Sequence, residues 1–75
     1  MLFVPGHKFT VNAPVGRTIK PFEAGETYTL TYINVIREDG SKKFEYQFTT
    51  SKNKLIKEVY DSIDFADAVI KRYST

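Results

Sequence analysis

The chain has no cysteine and no tryptophan, and only one histidine, one methionine and three prolines among its 75 residues. Each scarcity closes a class of explanation. Without cysteine there is no disulfide to staple the fold and no thiolate to hold a metal or attack a substrate, and a lone histidine excludes a Cys/His zinc cluster. Long apolar runs are also missing. A membrane helix needs roughly 18 consecutive apolar residues. Met1-Leu2-Phe3-Val4 is apolar, but Pro5-Gly6-His7-Lys8 cuts it far short of a signal-peptide core. A cytoplasmic protein with no membrane contact is the expectation, and a reducing compartment suits a chain without cysteine.

What is present is a folding chain. Hydrophobic residues make up 41% of it, and six Phe and five Tyr supply large apolar side chains, which a disordered segment would lack. The length fits one domain spanning 1–75 and leaves no room for a second core. A core of this size supplies only about 3–5 kcal/mol, so oligomerisation or a bound partner is an expected source of further stability. The net charge is +2 but unevenly spread: residues 1–57 carry nine Lys/Arg against five Asp/Glu, residues 58–75 two against four.

The hydrophobic period is mostly that of strands. His7–Val11 alternates around Phe9 and Val11 between two turn signals, Pro5-Gly6 and Asn12–Gly16. Arg17–Lys20 reads as a weaker strand stopped by Pro21, and Phe22–Glu26 as a tight turn in which Gly25 takes a positive φ. Thr27–Arg37 is almost wholly β-branched and aromatic; Glu38-Asp39-Gly40 turns the chain, and Lys42–Thr50 returns with Phe44, Tyr46 and Phe48 at period two. A three-residue turn with Gly40 in a G1 bulge pairs Tyr32 with Tyr46, Leu30 with Phe48 and Asn34 with Phe44. A two-residue Asp39-Gly40 turn pairs Ile33 with Tyr46 instead and moves Tyr32 and Leu30 to the opposite face. The first is preferred because it sends Thr27, Thr29, Thr31, Lys43, Glu45, Gln47 and Thr49 to solvent together. It leaves Ile33 and Val35 as misfits, which calls for a strand bent enough to be covered on both sides there.

After the turn Ser51-Lys52-Asn53, one helix over 54–73 is possible, because Leu55, Ile56, Val59, Tyr60 and Ile63 recur at helical spacing. The preferred reading is a strand, Lys54–Tyr60, then a helix from Ile63 to about Tyr73 with Ser62 as its N-cap. Asp64 and Asp67 then lie near the positive end of the helix and Lys71 and Arg72 near the negative end, while Ala66, Val69, Ile70 and Tyr73 form an apolar face. The fold class that follows is mainly β (α+β): a small, strongly bent antiparallel sheet, or an SH3-like barrel, of four to five strands with one C-terminal helix. The barrel is the nearest common architecture by analogy, with no motif behind it.

Nothing in the chain equips it for catalysis. His7 sits beside Lys8 with no acidic residue nearby to orient it, and reads as a surface histidine. Asp61, Asp64 and Asp67 recur every three residues, but a solvated, dipole-favoured helix start explains them without hydrolytic chemistry, and the spacing of a calcium loop is absent. The glycines are scattered singly among turns, unlike a phosphate loop. No metal, no cofactor and no enzymatic activity are expected.

A non-enzymatic binding module remains. The first reading is a protein-interaction, accessory or inhibitory protein that docks on a larger partner or self-associates, with Tyr28, Tyr32, Tyr46, Tyr60 and Tyr73 as anchors, since tyrosine joins large contact area to a polar tip. The alternative is a single-stranded nucleic-acid-binding β-barrel that uses Arg37, Lys42, Lys43, Lys52, Lys54 and Lys57 against phosphates and the rings of the 27–57 segment against bases. The bland account of that pattern is a hairpin with its aromatics in the core and its lysines guarding an edge. The pI near 8.9 falls just short of the value above about 9 that marks a basic footprint.

Overall fold

A computed structural model describes residues 2–11 and 22–74. Four strands, β1 (Lys8–Thr10), β2 (Thr27–Glu38), β3 (Ser41–Thr50) and β4 (Leu55–Tyr60), precede one helix, α1 (Ile63–Tyr73). The strands form a single antiparallel sheet in the order β1-β2-β3-β4, and the buried face of α1 joins the core on one side of it. The fold is thus mainly β with a C-terminal helix, and of the two expected architectures it is the open sheet rather than the closed barrel. The expected turn at Asn12–Gly16 and strand at Arg17–Lys20 lie outside the described residues.

β2 is the longest element. Twelve residues at roughly 3.4 Å each come to about 40 Å, the long dimension of the 40 × 22 × 19 Å molecule. It pairs with β3 along nearly its whole length but with β1 only at Thr27–Thr29.

The register corrects the preferred sequence reading. The hairpin closes through two residues, Asp39 (φ 50°) and Gly40 (φ 76°), with Glu38 opposite Ser41 and Ile33 opposite Tyr46. Positive φ at both central positions is the signature of the type I′ turn, whose twist matches that of the strands. Leu30 nevertheless lies opposite Phe48, because the register shifts between Leu30 and Tyr32. Thr31 is the extra residue, and its hydroxyl donates to the Gln47 carbonyl at 3.1 Å. Each alternative therefore holds on one side of this bulge. Inserting one residue swaps the faces beyond it, so Ile33 joins Tyr46 on the helix-bearing face and Tyr32 turns to the opposite face, where it is 51% exposed. The misfit of Ile33 and Val35 is resolved by this swap rather than by covering from both sides, since Val35 stays half exposed.

Beyond β3, Asn53 takes a positive φ of 62°, and the Thr50 hydroxyl accepts from the N–H groups of Lys52 and Lys54 at 3.2 and 3.1 Å. The chain then forms strand and helix separately, which excludes one helix over 54–73. The Ser62 hydroxyl caps α1 by accepting from the Phe65 N–H at 3.0 Å. Ala66 and Ile70 are buried, with Val69 and Tyr73 packed against the core.

Phe22 is fully buried at the centre. Its ring lies 5.5 Å from Phe9, 5.0 Å from Tyr28 and 5.2 Å from Phe48, each edge to face, the arrangement that the ring quadrupoles favour. Burying such a side chain is worth about 1.5–3 kcal/mol. β1, the segment before β2 and the central strand β3 are thereby held to one another.

The turn carries a direct test. No atom crowds the position of an added Cβ at Gly40, so the penalty for Gly40→Val is conformational: a β-branched residue at positive φ, costing about 1–2 kcal/mol or more. The expected outcome is a lower thermal midpoint, with Gly40→Asn avoiding most of the loss because asparagine tolerates this region. An unchanged midpoint in the valine variant would place the turn elsewhere.

Candidate functional site

The five tyrosines do not share a surface. Tyr28, Tyr46 and Tyr60 are buried, and Tyr73 packs against the core, so four of the five expected anchors hold the fold together. The reason is their parity: Tyr28 and Tyr46 alternate with Leu30 and Phe48 on the inner face, and Tyr60 lies opposite Phe44. The Tyr28 hydroxyl accepts from the Glu23 N–H at 2.8 Å. Only Tyr32 stands free, on the outer face.

The inner face also carries polar groups that sequence reasoning assigned elsewhere. Asp67 is 6% exposed, not part of a solvated helix start, and its Oδ2 accepts from the Leu2 N–H at 3.0 Å, tying the N-terminal segment to α1. Asp64 and Asp61 are exposed, and Asp61 lies 3.5 Å from the Lys43 ammonium. His7 is half buried rather than a surface residue. It shares its parity with Phe9, and its ring lies 4.5 Å from Phe3 and 5.8 Å from Phe9. Glu58 faces inward opposite Tyr46, and burial pushes its carboxyl above the ordinary range. Burial also pushes the Tyr60 phenol far up, helped by the neighbouring Glu58 carboxylate. Among the described residues the buried Tyr46 and Tyr60 hydroxyls and Asp67 Oδ1 have no hydrogen-bond partner, and no cluster of His, Asp and Glu is arranged to hold a metal.

The cations fall into separate groups. Arg37 and Lys42 are directly opposed at the far end of the hairpin. Lys52 and Lys54 sit in and after the β3–β4 turn, roughly 27 Å away along β3. Lys57 is exposed on the outer face of β4 opposite Gln47, and Lys43 on that face of β3 is paired with Asp61. They do not form one patch interleaved with exposed rings, since Phe44, Tyr46 and Phe48 point to the core side.

One surface missed in the sequence emerges at the far end of the hairpin. The row Val35–Phe44–Tyr60 crosses β2, β3 and β4 on the helix-bearing face, and Phe65 in the first turn of α1 lies 5.9 Å from Tyr60. Val35 is 50% and Phe65 58% exposed. Beside Val35, and beyond the bonds that Leu30 makes with Gly6 and His7, β2 has no strand neighbour on this side among the described residues. In an antiparallel ladder, pairs that exchange hydrogen bonds alternate with pairs that do not. Counting from the exchanging Glu38–Ser41 pair, Ile33, Val35 and Arg37 turn their backbone groups to this open edge. A signal existed in the run Tyr32–Arg37, too apolar for one wet face, but its placement depended on the bulge.

No protein-family model, curated protein or solved structure matches the chain.

Buried Tyr60 gives a pH test. Its folded pKa is raised, so the stability it contributes is fully present below the unfolded phenol value of about 10 and is lost as pH rises above that value. Tyr60→Phe is expected to leave the thermal midpoint at pH 7 unchanged or higher, because it removes a buried hydroxyl without a described partner, and to flatten the decline measured from pH 9 to 11. An identical alkaline decline in both proteins would mean that Tyr60 ionises freely.

Proposed function

We propose that the protein is a non-enzymatic binding module that docks on another protein through the far end of its β2–β3 hairpin. The observation that carries this reading is the exposure at both ends of the row that runs from Val35 through Phe44 and Tyr60 to Phe65, with Val35 beside a strand edge that no described residue covers. Uncovered apolar surface in a small domain marks an interaction site, and an unpaired strand edge is a template for a partner's backbone. Arg37 opposite Lys42 adds a charge argument. Like charges directly across a strand pair cost about 0.2–1 kcal/mol, and a carboxylate supplied by the partner offsets them. Self-association through the same edge is the other form of this reading.

The nucleic-acid reading rests on the same basic residues and draws less support. Its cations are split between two ends of the sheet, and Lys43 already has an acidic partner.

The test is affinity capture with a photo-crosslinker at position 35 or at Thr49 on the outer face, together with the solution mass. Capture or dimerisation through position 35 alone is expected, abolished by Phe65→Glu at a native thermal midpoint. Equal labelling from both positions would overturn the site. In parallel, a fluorescent mixed-sequence single strand is expected not to bind at two salt concentrations. Salt-sensitive binding that weakens in Lys42→Ala with Lys43→Ala would instead restore the nucleic-acid reading.

A further inference from the structure

We propose that the groove along the outward edge of β1, where no described strand pairs with Lys8–Thr10, binds an extended peptide segment bearing a carboxylate. This site lies on the opposite edge of the sheet from β4 and does not depend on the hairpin surface.

The backbone comes first. The His7 carbonyl accepts from the Leu30 N–H at 2.8 Å, and the Val11 N–H donates to the Glu26 carbonyl at 2.9 Å, so His7 and Val11 spend these groups on the β2 side. The alternation of an antiparallel ladder turns Lys8 and Thr10 the other way, toward the edge of the sheet. The chain already uses that edge for strand pairing, because Val11 forms an antiparallel bridge with Ser74 just past the end of α1. An added segment at Lys8 lies along the same edge as the Ser74 bridge.

The space and the charge come next. A groove of about 410 Å³ lies along these residues, with Phe3 and His7 on one side, Lys8 and Thr10 at the strand, and Lys71 and Ser74 opposite. Two ammonium groups from different elements line it, and no carboxylate does among the described residues. The macrodipole accounts for Lys71 in the last turn of α1, but not for Lys8, whose cross-strand neighbour is the uncharged Thr29. Strand addition takes its affinity from main-chain hydrogen bonds and its specificity from the flanking side chains. Here the flanking groups select an acid, either an acidic side chain or a chain-terminal carboxylate, and the aromatic wall takes an apolar neighbour.

The experiment uses three fluorescein-labelled hexapeptides of alternating valine and threonine: one with a central glutamate and an amidated end, one without glutamate and with a free C-terminal carboxylate, and one with neither. Binding is read by anisotropy at two salt concentrations. At least one acidic peptide is expected to bind saturably and the neutral one at least tenfold more weakly, which also tells the two carboxylate sources apart. Lys8→Ala with Lys71→Ala, both exposed positions, is expected to weaken binding at least tenfold without moving the thermal midpoint. N-methylation at alternate peptide amides is expected to abolish it, whereas Val35→Glu leaves it unchanged. Equal affinity for all three peptides, no binding at millimolar concentration, or indifference to N-methylation would overturn the proposal.

Discussion

The bulge at Thr31 is the constraint on which the rest of the structure depends. β2 is the one strand that runs the length of the molecule, and its apolar residues do not keep a single parity. Tyr28 and Leu30 are even-numbered; Ile33 and Val35 are odd. A regular strand would bury one pair and strand the other in water. The extra residue between Leu30 and Tyr32 lets both pairs face α1, and the Thr31 hydroxyl bonds to the Gln47 carbonyl across the disturbed ladder. The type I′ turn at one end and the Leu30–Phe48 pairing at the other are compatible only because this residue takes up the difference.

Two parts of the sheet follow from that arrangement. Near β1 the inner face is closed by an aromatic cluster around Phe22, with α1 laid over it and Asp67 holding the N-terminal segment in place. Beyond Ile33 the hairpin continues past the end of β1 and past the part of the face that α1 covers. There apolar groups stay exposed: Val35 and Phe65 border water, and no described residue pairs with the edge of β2. The end with the most complete burial stabilises the fold, and the end with the least offers contact area.

The side of the sheet away from β4 is treated differently along its length. At the β1 edge the chain supplies its own short cover, the Val11–Ser74 bridge, and leaves a groove beside it walled by a helix end and two lysines. At the β2 edge nothing described covers Ile33–Arg37. A small domain with limited core has few ways to mask strand edges, and each incompletely masked edge is a place where another chain gains backbone hydrogen bonds.

Local chemistry determined the element types except over 54–60, where strand and helix both remained open. Asp-Gly after a β-branched run fixes a hairpin, Ser62 ahead of Ile63 starts a helix, and the period-two aromatics of β3 put Phe44, Tyr46 and Phe48 on one face; each depends on residues within a few positions of one another. The tertiary structure decided what sequence spacing leaves open. It settled which way Tyr32 and Ile33 face, because a one-residue bulge inverts parity without a distinctive residue at Thr31. It buried Asp67, whose partner Leu2 is 65 residues away. It turned Tyr28, Tyr46 and Tyr60 from candidate anchors into core residues and scattered the lysines over both ends of the sheet. Exposure is set by what packs on a face, and that is fixed only when distant segments meet.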